Sequence, residues 1–151
     1  MLAKFPYCFR LNRHNWVYLK LLRERSGELP VLVEFRNAQC LRSEMFDWLR
    51  QQNLGFCCVD EPQLPNLLTP MTEATKKIGY VRFNGRNSAK RWQHEQAHER
   101  YYYSYTPEEL SEWLPKIQKL DSIAEDPFIF ANNHWRGQAV STTRQLRVML
   151  D

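Results

Sequence analysis

Arg82, Asn84, Arg86 and Asn87 crowd the end of one short apolar run, in the stretch IGYVRFNGRN. Guanidiniums are planar, bidentate donors suited to phosphate or carboxylate, and carboxamides both donate to and accept from hydroxyls. The Asn84-Gly85 pair supplies a turn, which is all that a strand needs in order to end. The arginines therefore call for a separate explanation. Other apolar runs end the same way: VEFRN brings Glu34, Arg36 and Asn37, CCVDEP brings Asp60 and Glu61, and FANNHW brings Asn132, Asn133 and His134. Glu34 and Asp60 close successive runs, so a carboxylate pair for acid/base hydrolysis of a glycoside is one chemistry open to them. The competing reading is plain ion pairing, in which Arg82 neutralises Glu34 or Asp60 from a neighbouring strand. Asn132 and Asn133 have their own structural alternative as turn formers.

Two further groups have chemical potential. His94-Glu95-Gln96-Ala97-His98 is a literal HExxH, which on a helix sets two imidazoles one turn apart for zinc with Glu95 as base. No third ligand is specified, and the expectation is a solvated helix without metal. RYYYSY, from Arg100 to Tyr105, interleaves aromatics with a base; with Arg86, Lys90 and Arg91 it could stack nucleobases. Tyr101, Tyr103 and Tyr105 alternate, which suits an extended segment packed over other structure and favours packing over nucleic acid.

Positioning these groups requires alternating strands and helices. Four strands are expected, at residues 30–35, 54–60, 78–83 and 127–132, short and nearly continuous in hydrophobicity, as strands buried on both faces are. Helices are expected over residues 15–25, 41–52 and about 138–150. Another opens at Thr106-Pro107-Glu108-Glu109, a capping box with proline in the first turn, and carries Leu110, Trp113, Leu114, Ile117 and Leu120 on one stripe. Repeated β-α connection argues a parallel sheet with right-handed crossovers, and in such folds ligands bind outside the carboxyl ends of the strands. All the polar clusters above lie at those ends.

The 151 residues suit a single domain, and the charge of +4, from 21 basic and 17 acidic residues spread along the chain, is too mild to argue for nucleic acid. No apolar run approaches the roughly 20 residues that cross a bilayer. The N-terminus does not read as an export signal, and the four cysteines form no CxxC pair, so reduced thiols and a cytoplasmic location are expected. No residue pattern names a cofactor.

In this order, VEFRNAQCL, VDEP, YVRFNGRN, RYYYSYTPEELSEW and FANNHWRGQAV resemble the C-terminal half of the YecE-like family, domain of unknown function seventy-two. The resemblance covers nearly the whole chain and implies an α/β fold, part of a TIM-like barrel of which the four strands would be the fifth to eighth. Asn84 stands where the family usually has histidine, Asn37 and Cys40 stand where it usually has histidine and tryptophan, and Thr142 stands where asparagine is expected. The missing histidine counts against catalysis at Asn84.

The expectation is thus half a TIM-like barrel with a binding or hydrolytic site for an anionic or polyhydroxyl ligand at the strand ends. Glu34 and Asp60 are its acid/base candidates. Arg36, Arg82, Arg86, Asn84, Asn87, Tyr103, Asn132 and Asn133 are the ligand-holding candidates. The alternative is a non-catalytic barrel half or remnant, with uncovered edges at the strands beginning Pro30 and Pro127, closed by a second copy or by a separate N-terminal half.

Overall fold

The computed structural model describes residues 1–151. Its elements are β1 (Leu2–Lys4), α1 (Arg13–Arg25), β2 (Leu32–Glu34), α2 (Ser43–Gln51), β3 (Gly55–Asp60), β4 (Ile78–Phe83), α3 (Pro107–Ser111), α4 (Leu114–Ile123), β5 (Asp126–Ala131) and α5 (Gln138–Leu150). The local signals act as their chemistry dictates. Asn12 caps α1 by accepting from the Asn15 amide at 2.9 Å, and Gly27 follows the helix with a left-handed φ of 56°. Thr106 and Glu109 form the reciprocal capping box. The helix that it opens does not run on as one piece. Pro115 has no amide to bond to the Ser111 carbonyl, so the stripe is split between α3 and α4.

The sheet has five strands, one more than the four expected, all parallel and in the order β1-β2-β3-β4-β5. The extra strand is Leu2–Lys4, paired with Leu32–Glu34. One open edge is therefore β1, and not the strand that follows Pro30. Sequential order with right-handed crossovers carries every helix to the same side, which is the winding of a barrel and not of a doubly wound sheet. The molecule is a partial TIM-like barrel.

Register fixes the two faces. Val33, Phe56, Cys58, Val81, Phe83 and Ile129 share the helix face. There Phe56 meets Phe46 of α2 at 5.1 Å, and Phe83 meets Trp113 at 5.3 Å. Gly79 is on the same face because a Cβ there would lie 2.8 Å from Leu120 and 2.9 Å from Ala124 of α4. The inner face carries Leu32, Glu34, Cys57, Val59, Tyr80, Arg82, Phe128 and Phe130. β2 and β3 are buried throughout, as expected, whereas β4 and β5 alternate in burial. The cause is that nothing covers the inner face at that end, where Phe128 and Phe130 remain 46% and 47% exposed.

Candidate functional site

Two polar clusters cap the carboxyl ends of the strands, and strand parity puts them on opposite faces. On the helix side Asp60 is wholly buried. Its carboxylate accepts from the Tyr105 hydroxyl, from Trp113 Nε1 at 2.7 Å, and from Arg86 through Nε at 3.1 Å and Nη2 at 2.8 Å. Arg86 also reaches Glu112 at 2.8 Å and Glu109 at 3.7 Å. Tyr105 accepts from the Gly85 amide at 2.9 Å, and burial beside Asp60 pushes its phenol well up, so the hydroxyl stays a donor. Gly85 has a φ of 86°, and a Cβ on it would lie 2.9 Å from Tyr103 Cβ, so both backbone shape and space require glycine. Asp60 thus clamps the β4 turn onto α3 and α4.

Residues expected to touch ligand are committed to this scaffold. Asn133 is wholly buried on the helix side and donates to the Tyr103 carbonyl and to Thr142 Oγ1, each at 2.9 Å. Asn87 donates to the carbonyls of Glu99 and Tyr102, each at 3.1 Å, and so shapes the loop that follows β4. The Tyr103 hydroxyl donates a hydrogen bond to Glu109, and burial followed by that bond takes its phenol up to about 12.

The inner cluster differs. Arg82 reaches from β4 across β3 to Glu34 on β2 at 2.7 Å, over Cys57, whose thiol burial and Glu34 push well up. The ion-pairing alternative thereby accounts for Arg82. Glu34 and Asp60 are not brought together, since one faces the interior and the other the helices. Asn132 Nδ2 donates to Asn84 Oδ1 at 3.0 Å across the ends of β4 and β5. Glu61, one residue past Asp60 and so on the opposite face, is buried; it pairs with Arg91 and accepts from the Leu68 amide at 3.2 Å. Burial raises its carboxyl to about 7, against the opposing pull of Arg91, the Leu68 amide and Arg36 and with a further push from Glu34. Arg36 is half-buried beside Glu61 and Arg91, yet has neither a hydrogen bond nor an ion pair.

Glu61 and Arg91 belong to the inner rim although neither is among the expected site residues, Glu61 being named only as a strand-end carboxylate and Arg91 only beside the tyrosine run. Alternation along CCVDE separates Glu61 from Asp60 and turns it to the inner face, because the residue after Asp60 must face the other way. Arg91 had no local signal, as it arrives on a long loop. The HExxH segment also departs from expectation. Residues 94–98 form no helix, His98 instead stacks on Trp135 at 3.9 Å, and His94 Nε2 accepts from Arg100 Nη2 at 3.1 Å. No group of three or more His, Cys, Asp or Glu side chains is placed to hold a metal ion. No helix is long and apolar enough to cross a membrane.

Known proteins share this fold. A DUF72 family protein of Thermotoga maritima superposes with a TM-score of 0.91 at 38% identity, over 99% of this chain and 56% of that one. One from Enterococcus faecalis gives 0.88 at 26% identity, over 99% and 57%. The curated protein YunF of Bacillus subtilis, described as a UPF0759 protein, is 27% identical over all of this chain and 57% of its own length. The chain thus spans a little over half the length of the relatives it matches. The family described as "Protein of unknown function DUF72" matches residues 1–151, and the chain belongs to that family.

Proposed function

We propose that the inner rim, at the carboxyl ends of β2 to β5, binds a small anionic or polyhydroxyl ligand. The observation that carries this reading is Arg36. Arg36 is a partly buried rim guanidinium with no side-chain hydrogen bond and no carboxylate within ion-pair distance, so its donors stay available to an anion. Arg82, Arg86 and Arg91 all have carboxylates. Asn84 and Asn132 supply orienting donors and acceptors beside it. If hydrolysis occurs, Glu34 and Glu61 are the carboxylates on this face, with Asp60 holding the scaffold behind them. Thermal melts with a panel of phosphates and carboxylates test the reading. Saturating ligand at about 100 times Kd stabilises by about 2.7 kcal/mol. The shift is expected in the native chain and lost in Arg36→Ala with the unliganded melting temperature unchanged; equal shifts in both chains sink the reading.

A second reading concerns assembly. We infer that the chain is the C-terminal half of a closed eight-stranded barrel and is completed by the remaining units. Five strands leave three to supply, and the relatives are longer by about the length that three or four βα units need, at about 31 residues each. A second copy would bring ten strands in place of eight. The exposed Phe128 and Phe130, with half-buried Tyr80 stacked on Phe130 at 4.9 Å, form the surface such units would cover. A chain of this family that carries the missing units is expected to form a 1:1 complex by light scattering. A stable self-dimer with no affinity for such a chain rejects the inference. Four free thiols, three of them buried, support a cytoplasmic location.

A further inference from the structure

We infer that the rim also holds an aromatic subsite, formed by Trp92 and Tyr7, which selects a ring-bearing anion such as a sugar or nucleoside phosphate; this rests on the rim reading above. Tyr7 lies in the loop after β1 and Trp92 in the loop after β4, yet their rings meet at 5.0 Å and 66°. Loops from the first and fourth of four consecutive strands can meet only by spanning the ends of the two between. Those ends, β2 and β3, carry Arg36 and Glu61.

Neighbouring side chains contact both rings. Arg91, anchored by Glu61, places its guanidinium 5.7 Å from the Trp92 ring centre. Arg10 sits 5.3 Å over Tyr7, and Asn37 donates to the Tyr7 carbonyl at 3.2 Å. Even so, Trp92 remains 54% exposed. An indole contacted on one side by Tyr7 and Arg91 and still open to solvent offers a partly ordered face to which a sugar or base can stack. Arg10, over Tyr7, and Arg36, near the Glu61–Arg91 pair, have no carboxylate within ion-pair distance, Arg10 donating only to the carbonyls of Tyr7 and Phe9. Unneutralised guanidiniums beside an open aromatic face suit a ring that bears a phosphate or carboxylate.

Calorimetric titration of the whole chain with inorganic phosphate, glucose 6-phosphate and adenosine monophosphate tests this. At least one ringed ester is expected to bind about tenfold or more tighter than inorganic phosphate. Trp92→Ala should erase that excess and leave phosphate binding intact, Trp92→Phe should retain most of it, and Arg36→Ala should weaken all three probes. Which ester wins separates a sugar platform from a base platform. If all three bind equally and Trp92→Ala changes nothing, the aromatic subsite is wrong while the anionic rim stands. If none binds to the folded chain, the rim reading falls and the subsite falls with it.

Discussion

At the scale of single residues, the molecule separates charges that hold the fold from charges that remain available. Asp60 accepts from four donor groups on three side chains while fully buried, so Asp60→Ala would strand the Arg86 guanidinium and the donors of Tyr105 and Trp113. Removing one partner of a buried pair costs about 3–5 kcal/mol, and denaturant unfolding should register a loss of that size. Glu61 behaves in the opposite sense. Its folded pKa of about 7 lies above the unfolded carboxylate value, so the native state binds the extra proton. Stability is therefore full below about pH 4.5 for this group and falls as pH rises toward 7, by about 3 kcal/mol in all. Unfolding free energies between pH 5 and 8 should show the decline, and Glu61→Gln should flatten it; an unchanged slope in the variant would assign the decline elsewhere. Sequence parity reaches part of this picture. Alternation separates Asp60 from Glu61, but no pattern along the chain says that Asp60 finds Trp113 and Tyr105, because those partners come from loops and helices some 50 residues on.

At the scale of elements, caps, turns and close approaches set the geometry that the rim inherits. Thr106 and Glu109 exchange hydrogen bonds at the start of α3, and Thr106→Ala should cost about 1 kcal/mol. Gly79 allows α4 to lie against β4. Gly79→Ala would drive a methyl group into Leu120 and Ala124 and should cost about 1–3 kcal/mol by overpacking, measurable as a lower midpoint of unfolding. These elements were largely legible. The strands at residues 54–60 and 78–83 and the helix over 138–150 were readable from periodicity and turn residues alone. β1 did not register from periodicity because three residues carry too little pattern, although the family resemblance implied the end of a fourth strand before Phe5; pairing with β2 makes these residues a strand. The helical reading of residues 94–98 failed because tertiary stacking on Trp135 competes with a weak local helix signal.

At the scale of the whole molecule, one face of the sheet is finished and the other is open. Helices cover the outer face, where Trp113, Phe56 and Phe83 anchor the core. The inner face keeps Phe128 and Phe130 half in water. Replacing both with serine should lower self-association and concentration-dependent aggregation without reducing the core; light scattering over a concentration series reads this out, and unchanged association would mean that the open face is not what sticks. The residue order by itself determined the alternation of strand and helix, the caps that start the helices, and the gathering of polar side chains at the strand ends, since each follows from local periodicity and backbone chemistry. Only the tertiary structure decided which of those charges neutralise one another. Register and loop return assign Glu34 to Arg82, Asp60 to Arg86 and Glu61 to Arg91, leave Arg36 alone, and seat Trp92 beside Tyr7. Such pairings depend on distances in space between residues far apart along the chain, and spacing in the sequence carries no record of them.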